Sequence, residues 1–106
     1  MGLFTRFSAP DINAGVAECR ATAGAVLLDV RTEEEYRAGH IDGSTNLPLD
    51  KIASVGSVVG DKSTPLYVHC LSGSRSGRAV SWLQQAGYTN ATNIGGISRY
   101  RGKVVQ

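Results

Sequence analysis

The sequence predicts an α/β domain built on a parallel sheet with helices on both faces. Three observations carry that expectation. Unalternating apolar runs, Ala25-Val26-Leu27-Leu28-Asp29-Val30 and Pro65-Leu66-Tyr67-Val68, have the pattern of strands covered on both sides. Segments with helical spacing or helix caps alternate with such runs along the chain. The length of 106 residues, with 42% hydrophobic side chains, fits one domain (1–106) with a modest core. Right-handed crossovers then place the strand C-termini, and the loops that follow them, along one edge of the sheet. No repeat, linker or low-complexity tract interrupts the pattern.

Taken in order, Arg6-Phe7 is expected to form a short first strand. Ser8-Ala9-Pro10-Asp11 opens a helix, with Ser8 as N-cap, Asp11 completing a weak capping box and Pro10 in the first turn. Ile12, Val16 and Cys19 mark its buried face, and Gly24 ends the segment. The strand at residues 25–30 follows. Thr32 caps a short helix from Glu33 to Ala38, whose acidic first turn suits the helix dipole, and Gly39 terminates it. Asp29 and Arg31 are read as ion-paired loop ties, and His40 as a structural hydrogen-bonding residue. Thr45-Asn46-Leu47 reads as a strand ended by Pro48, and residues 50–55 as a weak helix. After the strand at 65–68 and a loop comes a helix over 79–86. Ala79, Trp82, Leu83 and Ala86 are expected to face the sheet. Gly87 occupies the position after the helix where a left-handed residue is favoured. Thr92-Asn93-Ile94 is the last strand, and Gly95-Gly96 turns into a brief helical segment, 97–101.

The chemistry centres on His69-Cys70-Leu71-Ser72-Gly73-Ser74-Arg75-Ser76-Gly77-Arg78. A cysteine stands where a strand ends, and a Gly/Ser loop carries the chain into a helix N-terminus. Loop N–H groups and the positive end of the helix dipole favour a thiolate there, and Arg75 adds a full positive charge. Such settings lower a thiol pKa from about 8.5 to roughly 3.5–7.5. Cys19, on the apolar face of the first helix, is read as a small buried hydrophobe. With no secretory signal at the N-terminus, both cysteines are expected reduced and the protein cytoplasmic.

The net charge of +2 conceals an asymmetry. Residues 1–53 carry five basic and eight acidic side chains, a balance of −3, whereas residues 54–106 carry six basic and one acidic, a balance of +5. The basic half holds Cys70 with Arg75, Arg78, Arg99, Arg101 and Lys103. A positive field around a nucleophile suits a small anionic substrate or an acidic partner protein. There is no basic run interleaved with aromatics to suggest nucleic acid. There is also no stretch near the ~20 apolar residues of a membrane helix, and no Cys/His cluster with metal-ligand spacing.

Cys70-Leu71-Ser72-Gly73-Ser74-Arg75-Ser76 resembles the active-site loop of the rhodanese sulfurtransferase family. Leu28-Asp29-Val30-Arg31-Thr32-Glu33-Glu34-Glu35-Tyr36 resembles that family's first core strand and turn. Gly39-His40-Ile41-Asp42-Gly43-Ser44-Thr45-Asn46-Leu47-Pro48 resembles its next signature, and Asn93-Ile94-Gly95-Gly96-Ile97 its closing Gly-Gly turn. The likeness runs from about Ser8 to Gly102. It implies a single-domain member with a five-stranded parallel sheet in a three-layer α/β/α sandwich. Family members often carry Trp where Tyr100 stands, and a longer final helix.

The resemblance implies sulfur transfer through a Cys70 persulfide. The donor is a small anion such as thiosulfate, and the acceptor is cyanide, a small thiol or an acceptor protein. Cys70 is the nucleophile, and Arg75 orients an anionic donor or supports the loop. Leu71, Ser72, Gly73, Ser74 and Ser76 supply N–H or hydroxyl donors to the terminal sulfur. No metal or organic cofactor is implied. Two other classes share parts of this pattern. A persulfide carrier or regulatory module would serve a partner protein with the same residues. A cysteine phosphatase or arsenate reductase needs Cys-x5-Arg, whereas four residues, Leu71 to Ser74, separate Cys70 from Arg75 here.

Overall fold

The structure is a computed structural model that describes residues 10–106. Its elements are α1 (Ile12–Ala21), β1 (Val26–Asp29), α2 (Glu33–Ala38), β2 (His40–Ile41), β3 (Thr45–Asn46), a 3-10 helix (Leu49–Ser57), β4 (Leu66–Cys70), α3 (Ser74–Gln85), β5 (Ala91–Gly96), a 3-10 turn (Ile97–Arg99) and β6 (Val104–Val105). The fold is α/β. Four strands form a parallel sheet in the order β3-β1-β4-β5, and β2 and β6 form a small antiparallel pair. The family resemblance implies five parallel strands. The described residues contain four, and the strand expected at Arg6-Phe7 lies outside them.

β4 is buried along its whole length between β1 and β5. Its side chains alternate between two cores. Leu66, Val68 and Cys70 join Leu28, Val30, Ile52, Val55, Ala79 and Leu83 beneath α3 and the longer 3-10 helix. Tyr67 joins Leu27, Ile41, Ile94 and the apolar face of α1, Ile12, Val16 and Cys19. Two helical layers therefore cover one sheet, and the central strand delivers Cys70 to its C-terminal edge.

The caps explain where the helices begin. Asp11 is the N-cap of α1, its carboxylate accepting from the Asn13 N–H at 2.9 Å. This corrects the expected register: Ser8 lies outside the described residues, and Pro10 precedes the helix. Asp11 is as good a cap as Ser8, so composition could not choose between them. At α2 the expected cap is present and forms a full capping box. Glu35 N–H donates to Thr32 Oγ1 at 3.1 Å, and Thr32 N–H donates to Glu35 Oε1 at 2.9 Å.

Three further expectations are corrected. α3 starts at Ser74 rather than Ala79, because Gly73 takes the left-handed backbone (φ 104°) that turns the chain straight into the helix. Trp82 does not face the sheet: Ala79 and Leu83 are fully buried, while Trp82, on the flank of that stripe, is 39% exposed. The strand β6 was not anticipated, since two residues carry no periodicity.

Buried polar groups hold the edge where the loops emerge. Arg31 Nη2 lies 2.7 Å from Asp29 Oδ2 and also donates to the Gly39 carbonyl at 2.8 Å. Asn46 Nδ2 donates to the carbonyls of Asp29 and Arg31, each at 3.0 Å, fastening β3 to the end of β1. The expected role of Asp29 and Arg31 as loop ties is the one observed. His40 is likewise structural: its ring stacks on Tyr36 at 3.8 Å and its Nδ1 lies 2.8 Å from the Tyr36 carbonyl oxygen.

Candidate active site

Cys70 is the last residue of β4 and is 1% exposed. The pairing of β4 with β5 slips between Val68 and His69, so that Cys70 stands opposite Gly96. A slip of this kind re-aims the side chains beyond it. A Cβ at Gly96 would collide with the Leu71 carbonyl oxygen and the Ser72 Cα, so the loop lies directly against this glycine. The Ser98 N–H donates to the Leu71 carbonyl at 3.1 Å and pins the loop from the same side.

The sulfur faces donors. The Gly73 N–H donates to Cys70 Sγ at 3.0 Å, and the Ser76 hydroxyl lies 3.4 Å from it. Burial raises the thiol pKa. The Ser76 hydroxyl and the N–H groups of Ser76, Gly73 and Ser72 act in the opposite direction and outweigh it, leaving the thiol below its ordinary value. Cys19 has no such setting, and burial pushes its thiol up. Both cysteines are free.

The structure divides the expected site residues. Ser72, Gly73 and Ser76 act on the sulfur. Leu71 is 45% exposed beside it. Ser74 is the exposed first residue of α3. Arg75 is not directed at the sulfur. Its Nη1 and Nη2 form a fork with Glu35 Oε1 and Oε2 at 2.7 and 3.0 Å. Its guanidinium still feels the Cys70 charge, but the carboxylate is its principal partner.

Two residues emerge that were not among the expected site residues. Glu35 is one, and the Arg75 guanidinium holds its carboxyl at about 2. Asn93 is the other. Its Oδ1 accepts from the Ser76 hydroxyl at 2.8 Å and from the Gly95 N–H at 3.0 Å, while its Nδ2 donates to the Gly73 carbonyl at 3.1 Å. The single Ser76 hydroxyl proton has two acceptors within reach, Asn93 Oδ1 at 2.8 Å and Cys70 Sγ at 3.4 Å, and a charged sulfur competes for it more strongly than a neutral thiol. The capping-box spacing pointed to Glu35 only as a cap, and the pair Asn93-Ile94 before Gly95-Gly96 read only as a strand end.

His69, the residue before the cysteine, is fully buried on the opposite face of β4. Burial lowers its pKa, with the Asp29 charge opposing, and its Nε2 stands 3.8 Å from Asp29 Oδ2. A neutral imidazole there is a core residue behind the site. Among the described residues, no group of three or more His, Cys, Asp or Glu side chains is placed to hold a metal. None of the described helices is long and apolar enough to cross a membrane.

A buried thiol with N–H donors around it, at a strand end and next to a helix start, is the arrangement the loop sequence implied, and comparison with known proteins agrees. The family model described as Rhodanese-like domain matches residues 13–103. The chain belongs to the rhodanese-like sulfurtransferase family. It is 37% identical over 71 residues to thiosulfate sulfurtransferase PspE of Escherichia coli, covering 66% of this chain and 68% of that protein. It is 35% identical to thiosulfate sulfurtransferase GlpE of Pseudomonas entomophila, covering 74% and 72% of the two chains. In the adenylyltransferase and sulfurtransferase uba4 of Ogataea parapolymorpha, 33% identical, this chain spans 23% of the length. Among solved rhodanese structures, the fold resembles a rhodanese with anions from E. coli at TM-score 0.72 and 32% identity, covering 77% of this chain and 98% of that one.

Proposed function

We propose that this chain, as one rhodanese-like domain over residues 1–106, moves sulfane sulfur from a small anionic donor such as thiosulfate to cyanide or a thiol. The observation that carries the reading is the set of donors on the Cys70 sulfur: one hydroxyl and three backbone N–H groups that favour the charged form inside a buried site.

The Cys70 thiolate attacks the outer sulfur of thiosulfate. A sulfur–sulfur bond forms to Cys70, the bond within thiosulfate breaks, and sulfite leaves with the electron pair. The negative charge now rests on the outer sulfur of the persulfide. N–H groups fixed by the loop and by the first turn of α3 stabilise that charge without reorganising. An acceptor anion then attacks the outer sulfur and returns the electron pair to Cys70, completing a double displacement. Arg75, gripped by Glu35, supports the loop beside this centre and contributes a screened positive field to an approaching donor.

The test is intact mass spectrometry of the reduced protein after exposure to thiosulfate. Wild type is expected to gain one sulfur, located on Cys70, and to lose it on addition of cyanide. Cys70→Ser is expected to gain none while remaining folded by circular dichroism. Sulfur transfer by Cys70→Ser would remove Cys70 as nucleophile.

A further inference from the structure

A groove of about 580 Å³ opens beside Arg75, between α3 and the longer 3-10 helix. One wall is the face of α3 that carries Arg75, Arg78 and Trp82, spaced three and four residues apart so that they align along one side of the helix. The facing wall and floor are Val30, Pro48, Leu49 and Ile52. Trp82 is the only tryptophan in the sequence, and its half-open ring has apolar neighbours and a cation one turn away.

The size and the charges restrict what fits. Pockets of roughly 300–1,000 Å³ hold organic molecules. Thiosulfate and cyanide are far smaller, so neither accounts for this space. Of the three cations on the rim, Arg75 is forked with Glu35 and Lys51 lies 3.6 Å from Glu33. Arg78 has no carboxylate within ion-pair distance among the described residues, and the residue is exposed. Asp50 on the facing wall carries a negative charge, which disfavours an occupant with more than one anionic group. A flat apolar body against Trp82 and Leu49, with a single carboxylate forked on Arg78, satisfies both walls.

We propose that this groove seats an organic sulfur acceptor: a thiol with a flat apolar body and one anionic group, recognised by Trp82 and Arg78. The proposal rests on the sulfur-transfer reading above. In the step it serves, the acceptor thiolate attacks the outer sulfur of the Cys70 persulfide. The new sulfur–sulfur bond forms to the acceptor, the bond to Cys70 breaks, and its electron pair returns to Cys70 as thiolate. The start of α3 borders both places: Arg75 lines the groove, and the next residue, Ser76, holds its hydroxyl 3.4 Å from the Cys70 sulfur, while Val30 on the groove floor packs in the same core cluster as Cys70.

Two measurements test it. The first uses Trp82 fluorescence to follow binding of para-toluate, which has the body and the carboxylate but no sulfur. Saturable quenching is expected with toluate and not with the neutral para-toluamide. Arg78→Gln is expected to weaken toluate by about tenfold, as loss of a hydrogen-bonded charge pair does. The second separates the two half-reactions. After loading with thiosulfate, the persulfide is discharged by para-mercaptobenzoate or by cyanide. Trp82→Ala and Arg78→Gln are expected to raise the KM for mercaptobenzoate relative to that for cyanide.

Equal quenching by the neutral amide, or none by toluate, overturns the anion assignment. Unaltered discharge by mercaptobenzoate in both variants overturns the acceptor assignment. Slowed loading from an aryl thiosulfonate, with normal discharge, makes the groove a donor site and also overturns it. Absence of any Cys70 persulfide in wild type overturns the sulfur-transfer reading itself, an outcome distinguishable because toluate binding needs no sulfur chemistry.

Discussion

Glu35 serves two structures at once. Its carboxylate closes the capping box of α2 and also forks with Arg75 at the start of α3, forty residues away. The Arg75 hydrogen bonds are the largest cause of its lowered pKa, about 2 against an ordinary 4.5, with burial opposing and the Thr32 N–H assisting. A carboxyl whose folded value is depressed stabilises the fold above its unfolded value and loses that contribution as pH falls through the folded one. The Glu35–Arg75 pair should therefore contribute fully above pH 4.5 and fade toward about pH 2. Glu35→Gln is expected to be less stable than wild type at neutral pH, with the difference narrowing across that interval. Urea unfolding at a series of pH values measures it, and a difference independent of pH would show that the charge pair contributes nothing. Arg75 reads in sequence as a charge for the sulfur because it stands five positions after Cys70. Its actual partner comes from another loop, and such a contact leaves no trace in local spacing.

The loop between β4 and α3 depends on what lies behind it. Gly96 has an ordinary extended backbone (φ −127°), so its need for glycine is one of space rather than conformation. Gly96→Ala would drive a methyl into the Leu71 carbonyl and the Ser72 backbone, neither of which is the movable end of a side chain. Overpacking of this kind costs about 1–3 kcal/mol. The variant is expected to melt earlier and to form the Cys70 persulfide slowly, because the displaced loop carries the N–H donors. Gly56→Ala, with open space around its added Cβ, serves as the control and is expected to retain both properties. A fast-loading Gly96→Ala would show that the loop tolerates displacement. At this scale much was legible: the capping residue Thr32, the left-handed Gly87 and the cysteine at the strand end each follow from local rules. The errors fell where local rules tie or run out. Asp11 and Ser8 compete as caps, Trp82 lies at the margin of an apolar stripe, and α3 borrows its first turn from residues that read as loop. Asn93 acts through contacts to Gly73 and Ser76 that only the parallel pairing of β4 with β5 brings together.

Across the whole molecule, the charge asymmetry of the sequence becomes a spatial one. The positive half of the chain supplies β4 and β5, which end at the Cys70 loop, α3, which starts from it, and the segment after β5. Arg99 and Arg101 line a second cleft, about 600 Å³, whose other wall is the loop itself at Ser72 and Gly73. Asn13 fixes their backbone: its Nδ2 donates to the Arg99 carbonyl at 3.1 Å, and its Oδ1 accepts from the Arg101 N–H at 2.9 Å. Asp11 shares this cleft and offsets one of the two charges. With Arg75 occupied by Glu35, Arg99 and Arg101 are the cations that share a cleft with the loop, and they are expected to attract an anionic donor to it. Exposed charges act over roughly 8 Å at physiological salt and further when salt is low. The second-order rate of persulfide formation from thiosulfate is therefore expected to fall several-fold as ionic strength rises. The double variant Arg99→Gln, Arg101→Gln should begin slower at low salt and depend on salt less. Stopped-flow loading at several salt concentrations decides the matter. A wild-type rate indifferent to salt would reduce this surface to ordinary solvated charge, and an unchanged salt slope in the double variant would assign the steering to other residues.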